Sequence, residues 1–155
     1  MRYFHGSMDH LDVGTVMSGR GAEYDRDWNK TDFYSILESA RPSNFLSHSE
    51  AVFAVEHPDD IDLAGGGTEW VFEIEADGPV TRHDLNWSSE ISCLLSDGHD
   101  LESKEVLAAA ANYWAGVPHP NEQVWEYLLP KATIILVEPY EDFYLDESVR
   151  PVFAS

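Results

Sequence analysis

Four short stretches of this chain carry side chains whose types and spacing suit chemistry. Residues Met1-Arg2-Tyr3-Phe4-His5-Gly6-Ser7 deliver one imidazole into a glycine and a serine. A strand ending in His-Gly presents the ring at its terminus and leaves backbone without a Cβ, which a flat, nucleotide-like ligand can approach closely. Ser47-His48-Ser49 precedes a second apolar run, and Tyr113-Trp114 forms an aromatic pair. Trp125-Glu126-Tyr127 sets one carboxylate between two large aromatics, where desolvation raises its pKa and a positive partner lowers it. A glutamate against an aromatic wall can stabilise an oxocarbenium-like centre of the kind formed when a glycosidic bond breaks.

Each group also has a structural use. His5 reads equally as a satisfied histidine at a strand end. Ser47 and Ser49 read as caps or turn residues, Tyr113 and Trp114 as core, and Glu126 as an exposed helix residue. The seven histidines (5, 10, 48, 57, 83, 99 and 119) show no His-x-x-x-His spacing, and one cysteine cannot pair, so no metal site is expected. His83-Asp84 has the makings of an acid/base dyad, but no serine in a glycine elbow exists to use it. Gly65-Gly66-Gly67 lacks the lysine and glycine spacing of a phosphate loop and reads as a flexible turn. Cys93 lies in Ile91-Ser92-Cys93-Leu94-Leu95 and reads as a buried, inert thiol.

The elements that must position these residues mix strands and helices without regular alternation. Residues 2–5 predict a strand, followed by a turn over 9–14. Residues 23–30 are polar around Trp28 and read as a lid or a surface loop. Thr31 is a candidate N-cap for a helix carrying Phe33, Ile36, Leu37 and Ala40, with Pro42 as its stop. Residues 51–55 read as a buried strand. Trp70, Phe72 and Ile74 alternate as in a strand, with Asp77-Gly78 as a hairpin turn and 80–85 as the returning strand. A helix is expected from Leu101 to Ala115, stopped by Gly116. A short helix is expected over 122–129 and a buried strand over 133–137. The pattern indicates an α+β fold, with helices packed on antiparallel sheet, in one domain spanning residues 1–155.

The charge bounds the partners. Twenty-nine acidic residues against nine basic ones give a net charge of −20. That field repels phosphate backbones and anionic membranes, which argues against direct nucleic-acid binding and for a target with a basic surface. The acids are spread along the chain, which also fits a plain solvated surface or a salt-adapted host. No window approaches 18 consecutive apolar residues, no secretory signal is visible, and cysteine is nearly absent. A cytoplasmic location follows as an expectation.

Taken together, these stretches resemble the ADP-ribosyltransferase superfamily, and within it a bacterial and phage branch of the mono-ADP-ribosyltransferases. Tyr3-Phe4-His5-Gly6-Ser7 looks like its first motif, residues 45–54 around Ser47-His48-Ser49 like its second, and Tyr113-Trp114 with Trp125-Glu126-Tyr127-Leu128 like its third. The resemblance implies a split antiparallel sheet with packed helices and NAD as substrate. It implies that His5 holds the nicotinamide ribose and Gly6 grips the nicotinamide amide, with Ser7, Ser47, His48 and Tyr113 completing the binding set. Glu126 would engage the ribose 2′-hydroxyl and stabilise the cation as nicotinamide leaves. Two departures are visible: no central tyrosine follows the second strand, and Val124 stands where a second acidic or amide residue would make a Glu-x-Glu or Gln-x-Glu pair. The acceptor is therefore open, as is transfer against plain NAD hydrolysis. The alternative reading is a non-catalytic acidic protein, a DNA mimic or an inhibitor of a nucleic-acid enzyme. A mimic would line carboxylates along one convex face and need no cleft.

Overall fold

A computed structural model describes residues 2–21, 23–24, 31–64 and 66–141. Strand β1 (Arg2–Ser7) is an aromatic-rich segment whose Tyr3 is buried. It lies antiparallel to β4 (Trp70–Asp77), which pairs with β7 (Lys131–Pro139), which in turn pairs with the short β2 (Val16–Ser18). This four-stranded sheet has the order β1-β4-β7-β2. A second sheet has the order β3-β6-β5, from β3 (Val52–Ala54), β6 (Trp125–Leu129) and β5 (Thr81–Asp84), again antiparallel. One isolated bridge, Phe4 to Val55, joins them, with Phe4 N–H donating to Val55 O at 2.8 Å and Val55 N–H to Phe4 O at 2.9 Å.

The sheets pack through one apolar cluster that includes Tyr3, Phe72 and Ile74 from the first and Val52, Ala54, Tyr127 and Leu129 from the second. Helices cover the opposite face of the second sheet, burying Leu128 among Leu37, Ile91, Val106, Ala110 and Trp114. Each such Leu, Ile or Val side chain contributes roughly 1.5–3 kcal/mol by leaving water. Helix α1 (Asp32–Ala40) follows its N-cap Thr31 and stops at Arg41, before Pro42. A short turn of helix, α2 (Asp60–Leu63), and then α3 (Asn86–Ser96) come next. Helix α4 (Lys104–Ala115) is capped by Ser103, whose hydroxyl accepts from Val106 N–H. It ends on Gly116 at φ +71°, where Val117 N–H reaches Asn112 O and Gly116 N–H reaches Tyr113 O. That pair of bonds needs a left-handed residue, which glycine supplies without strain. No helix among the described residues is long and apolar enough to cross a membrane.

The mixed α+β class and the antiparallel pairing are as expected; several elements differ. Residues 125–129 form strand β6, not a helix: Glu126 through Leu129 are all buried, because the strand is central and covered on both faces, so it shows no alternation to read. Residues 81–84 are a strand, but Asp77-Gly78 does not return it to β4; the chain crosses to the other sheet and pairs with β6. Strand β1 runs through Ser7, which puts His5 and Gly6 inside the ladder and not at its end. Helix α4 starts at Lys104, with Leu101 in the preceding turn. Helix α3 and strand β2 had no reading in the sequence, and Cys93, on α3, is exposed.

Asp84 ties the second sheet to the loop ahead of β6. Its carboxylate is fully buried and accepts from the backbone N–H groups of Asn86, His119 and Val124 at 3.0, 2.8 and 3.0 Å. Asp84→Ala orphans three amides, each costing about 1–3 kcal/mol. A loss of at least about 3 kcal/mol is expected in urea unfolding, and a loss under a third of that would contradict the assignment.

Candidate functional site

The two sheets diverge just past the Phe4–Val55 bridge. Antiparallel register there sets Gly6 opposite Phe53 as the next rung. That rung is not made: His5 Nδ1 bonds the Phe53 carbonyl at 2.6 Å instead. Backbone groups alternate along a strand, so Gly6 directs its N–H and C=O the same way as Phe4, away from β4 and into the fork. Because a carbonyl only accepts, His5 Nδ1 carries the proton and Nε2 is left as an acceptor. Burial holds the His5 pKa below its ordinary value, with the Phe53 bond opposing.

A cavity of about 650 Å³ opens at this fork. Its walls include His5, Gly6 and Ser7 from β1, His48, Phe53 from β3, Tyr113 from α4 and Glu126 from β6. Gly66 and Gly67 close one side. A Cβ on Gly6 would come closer than 3.0 Å to the Gly67 carbonyl oxygen and to Ile61 Cγ2, so this backbone contact requires glycine. Arg20 lines the wall too and lies 3.7 Å from Glu23.

Glu126 is 5% exposed and points to the helix-covered face of the second sheet. Tyr113 O–H donates to its Oε2 at 3.3 Å, and His48 Nε2 lies 2.8 Å from the same hydroxyl. Burial pushes Glu126 up to about 8, against the Tyr113 bond, which favours the charged form. Burial likewise pushes His48 down to about 4, helped by His83 and Arg41. At neutral pH the cavity therefore presents a largely protonated carboxyl and uncharged imidazoles.

Of the residues singled out in sequence, His5, Gly6, Ser7, His48, Tyr113 and Glu126 line one cavity. Ser47 is buried outside that lining, with its hydroxyl bonded to Ser49 Oγ and Glu50 Oε1, both at 2.9 Å. The Ser7 hydroxyl is engaged locally with the Asp9 backbone. Tyr113 and Trp114 are core residues, 0% and 2% exposed, and the Trp114 ring N–H binds Leu37 O. His83 and Asp84 are both fully buried; the ring spans Tyr113 O and Thr81 Oγ1, so they do not act as a dyad. Tyr24 escaped sequence reasoning: it lines the cavity and stacks on Phe53 at 5.6 Å and 23°. Its only signal was an aromatic inside a polar stretch. The rest of the segment read as a lid, residues 25–30, lies outside the described residues.

These shifts carry a sign for stability. Between the ordinary carboxyl value of 4.5 and about 8 the folded protein holds a proton on Glu126 that the unfolded chain has lost, so stability falls as pH rises. His48, lowered from 6.5 to about 4, acts oppositely below pH 6.5, as do His5 and His83. Well above pH 7 the unfolded histidines have lost nearly all their protons, and Glu126 dominates the four. The unfolding free energy is expected to decline between pH 7 and 8, by less than about 1.4 kcal/mol per unit. Glu126→Gln should flatten that decline; an equal slope in both proteins removes Glu126 as its source.

No family model matches the sequence, and no curated protein matches it significantly.

Proposed function

We propose that this chain is an NAD-dependent mono-ADP-ribosyltransferase with the split-sheet fold of that superfamily, acting in the cytoplasm on a macromolecule with a basic surface. One observation carries the reading: the adjacent His5 and Gly6 and the sequence-distant Glu126 line a single cavity of about 650 Å³. That volume is within the roughly 300–1,000 Å³ of small-molecule sites.

The residues fit NAD at three points. The Gly6 N–H and C=O, open at the fork, match the acceptor and donor of a planar carboxamide. His5 Nε2 accepts from a ribose hydroxyl, and Arg20 offers a cation toward a diphosphate. Bound NAD supplies a ribosyl group on a good leaving group, nicotinamide. Glu126 then favours the positive charge that develops on the ribose: a carboxylate buried against Tyr113 and the sheet works in a low dielectric, where it stabilises charge far more than in water. Positive charge beside Glu126 in turn lowers its pKa and ionises it. The acidic-mimic reading needs a convex row of carboxylates and no cleft, so the cavity supports the enzyme over it.

Incubation with NAD labelled in the adenylate tests this. Release of nicotinamide, with label on protein or nucleic acid, supports transfer; release without label supports hydrolysis. Neither, across a panel of basic targets, rejects the proposal.

A further inference from the structure

We propose that Tyr113 and His48 are positioning residues that tie the charge of Glu126 to the tautomer of His48 through a buried relay. The purpose of the relay rests on the function proposed above; its existence does not.

The three groups form a buried chain along the cavity wall: Glu126 Oε2 to Tyr113 Oη at 3.3 Å, and Tyr113 Oη to His48 Nε2 at 2.8 Å. Glu126, Tyr113 and His48 are 5%, 0% and 4% exposed. A tyrosine has one proton to donate, so Tyr113 donates to only one of its two neighbours at a time, and two arrangements of the chain are opposite in sense. With Glu126 ionised, Tyr113 donates to the carboxylate and accepts from His48 Nε2–H, which leaves Nδ1 bare. With Glu126 protonated on Oε2, the carboxyl donates to Tyr113 and Tyr113 donates to Nε2, which places the imidazole proton on Nδ1. The two states differ by one proton overall, and every hydrogen bond in the chain reverses between them.

His48 Nδ1 is where that reversal is felt. It is buried and has no hydrogen-bond partner among the described residues, though His48 lines the cavity. An orphan of this kind costs free energy unless a ligand meets it. A hydroxyl donating to Nδ1 selects the bare tautomer and hence the ionised carboxylate, the form that a developing cation needs. A substrate oxygen that accepts from Nδ1–H selects the neutral form.

Other titratable groups pack against the chain, and Glu38 Oε1 accepts from the His48 backbone N–H at 3.3 Å. Tyr24, Tyr34, Glu38 and Arg41 face it from residues 24–41, and His83 from β5. Glu38 is paired with Arg41 at 3.0 Å, and both ring nitrogens of His83 are engaged. Burial raises Tyr24 and Tyr113 above the ordinary tyrosine value, so both stay protonated.

The test is an NMR titration of the whole chain from pH 5 to 9, following the Glu126 carboxyl carbon and the two His48 ring nitrogens. The His48 nitrogens are expected to exchange protonated and bare signatures at the same midpoint as the carboxyl. In Tyr113→Phe the carboxyl midpoint should rise by about one pH unit, the worth of one hydrogen bond, and the His48 change should uncouple from it. A single His48 tautomer throughout the Glu126 titration overturns the relay, and the wild-type titration decides this even where the variant does not fold. The readout needs no turnover, so a protein inert toward NAD would reject the proposed function and leave the relay standing.

Discussion

Glu126→Gln is expected to lower nicotinamide release by about 10²–10³-fold, the usual cost of deleting one preorganised electrostatic group at a developing charge. The amide keeps the shape of the carboxyl and can still bond Tyr113, so near- and far-UV circular dichroism should be unchanged. Binding of NAD itself should weaken far less than turnover, because the lost interaction grows only as the ribose becomes positive. The same variant should be more stable than wild type at pH 8, since it removes a buried group that must ionise there. Activity and stability thus move in opposite directions. A variant that loses both has simply unfolded, and one that keeps full turnover removes Glu126 from the chemistry.

Gly6→Ala is the second large effect. The added methyl collides with the Gly67 carbonyl and with Ile61 Cγ2, and Gly67 is itself packed against the Ser7 and Met8 backbone. Neither side can yield as a flexible side chain would, so either β1 or the backbone carrying Ile61 and Gly67 must shift. Overpacking of this kind costs about 1–3 kcal/mol. The larger consequence is at the fork, where a displacement of about 1 Å can cost on the order of 10²-fold in rate. Nicotinamide release and NAD affinity should fall together in Gly6→Ala, unlike in Glu126→Gln, where turnover falls first. An alanine variant with unchanged affinity would show that the Gly6 backbone does not meet the ligand.

Much of this site was legible because its parts announce themselves locally. The His5-Gly6 pair sits in an aromatic strand, α1 has its cap and its proline, and Gly116 marks the end of α4. Glu126 was legible as a carboxylate between aromatics, yet its element was misread. A strand buried on both faces shows no period of two, and Trp-Glu-Tyr-Leu-Leu contains good helix formers. Helix α3 was hidden for the opposite reason: its serines and the exposed Cys93 dilute the apolar face, leaving Trp87 and Ile91 buried, with Leu94 and Leu95 only partly covered. The crossing of β5 to β6 depends on pairing across some 40 residues, for which a turn-forming Asp77-Gly78 gives no local sign. His48 and Tyr113 were read as ligand contacts; their link to one another and to Glu126 belongs to the folded chain alone.

The interrupted ladder between β1 and β3 has a consequence for how such a site can change over time. A carboxamide lodged at Gly6 would complete a missing rung, held by groups every amino acid possesses. Recognition of that end of a ligand then owes little to any side chain, so the surrounding walls are free to drift toward new targets without the grip being relearned.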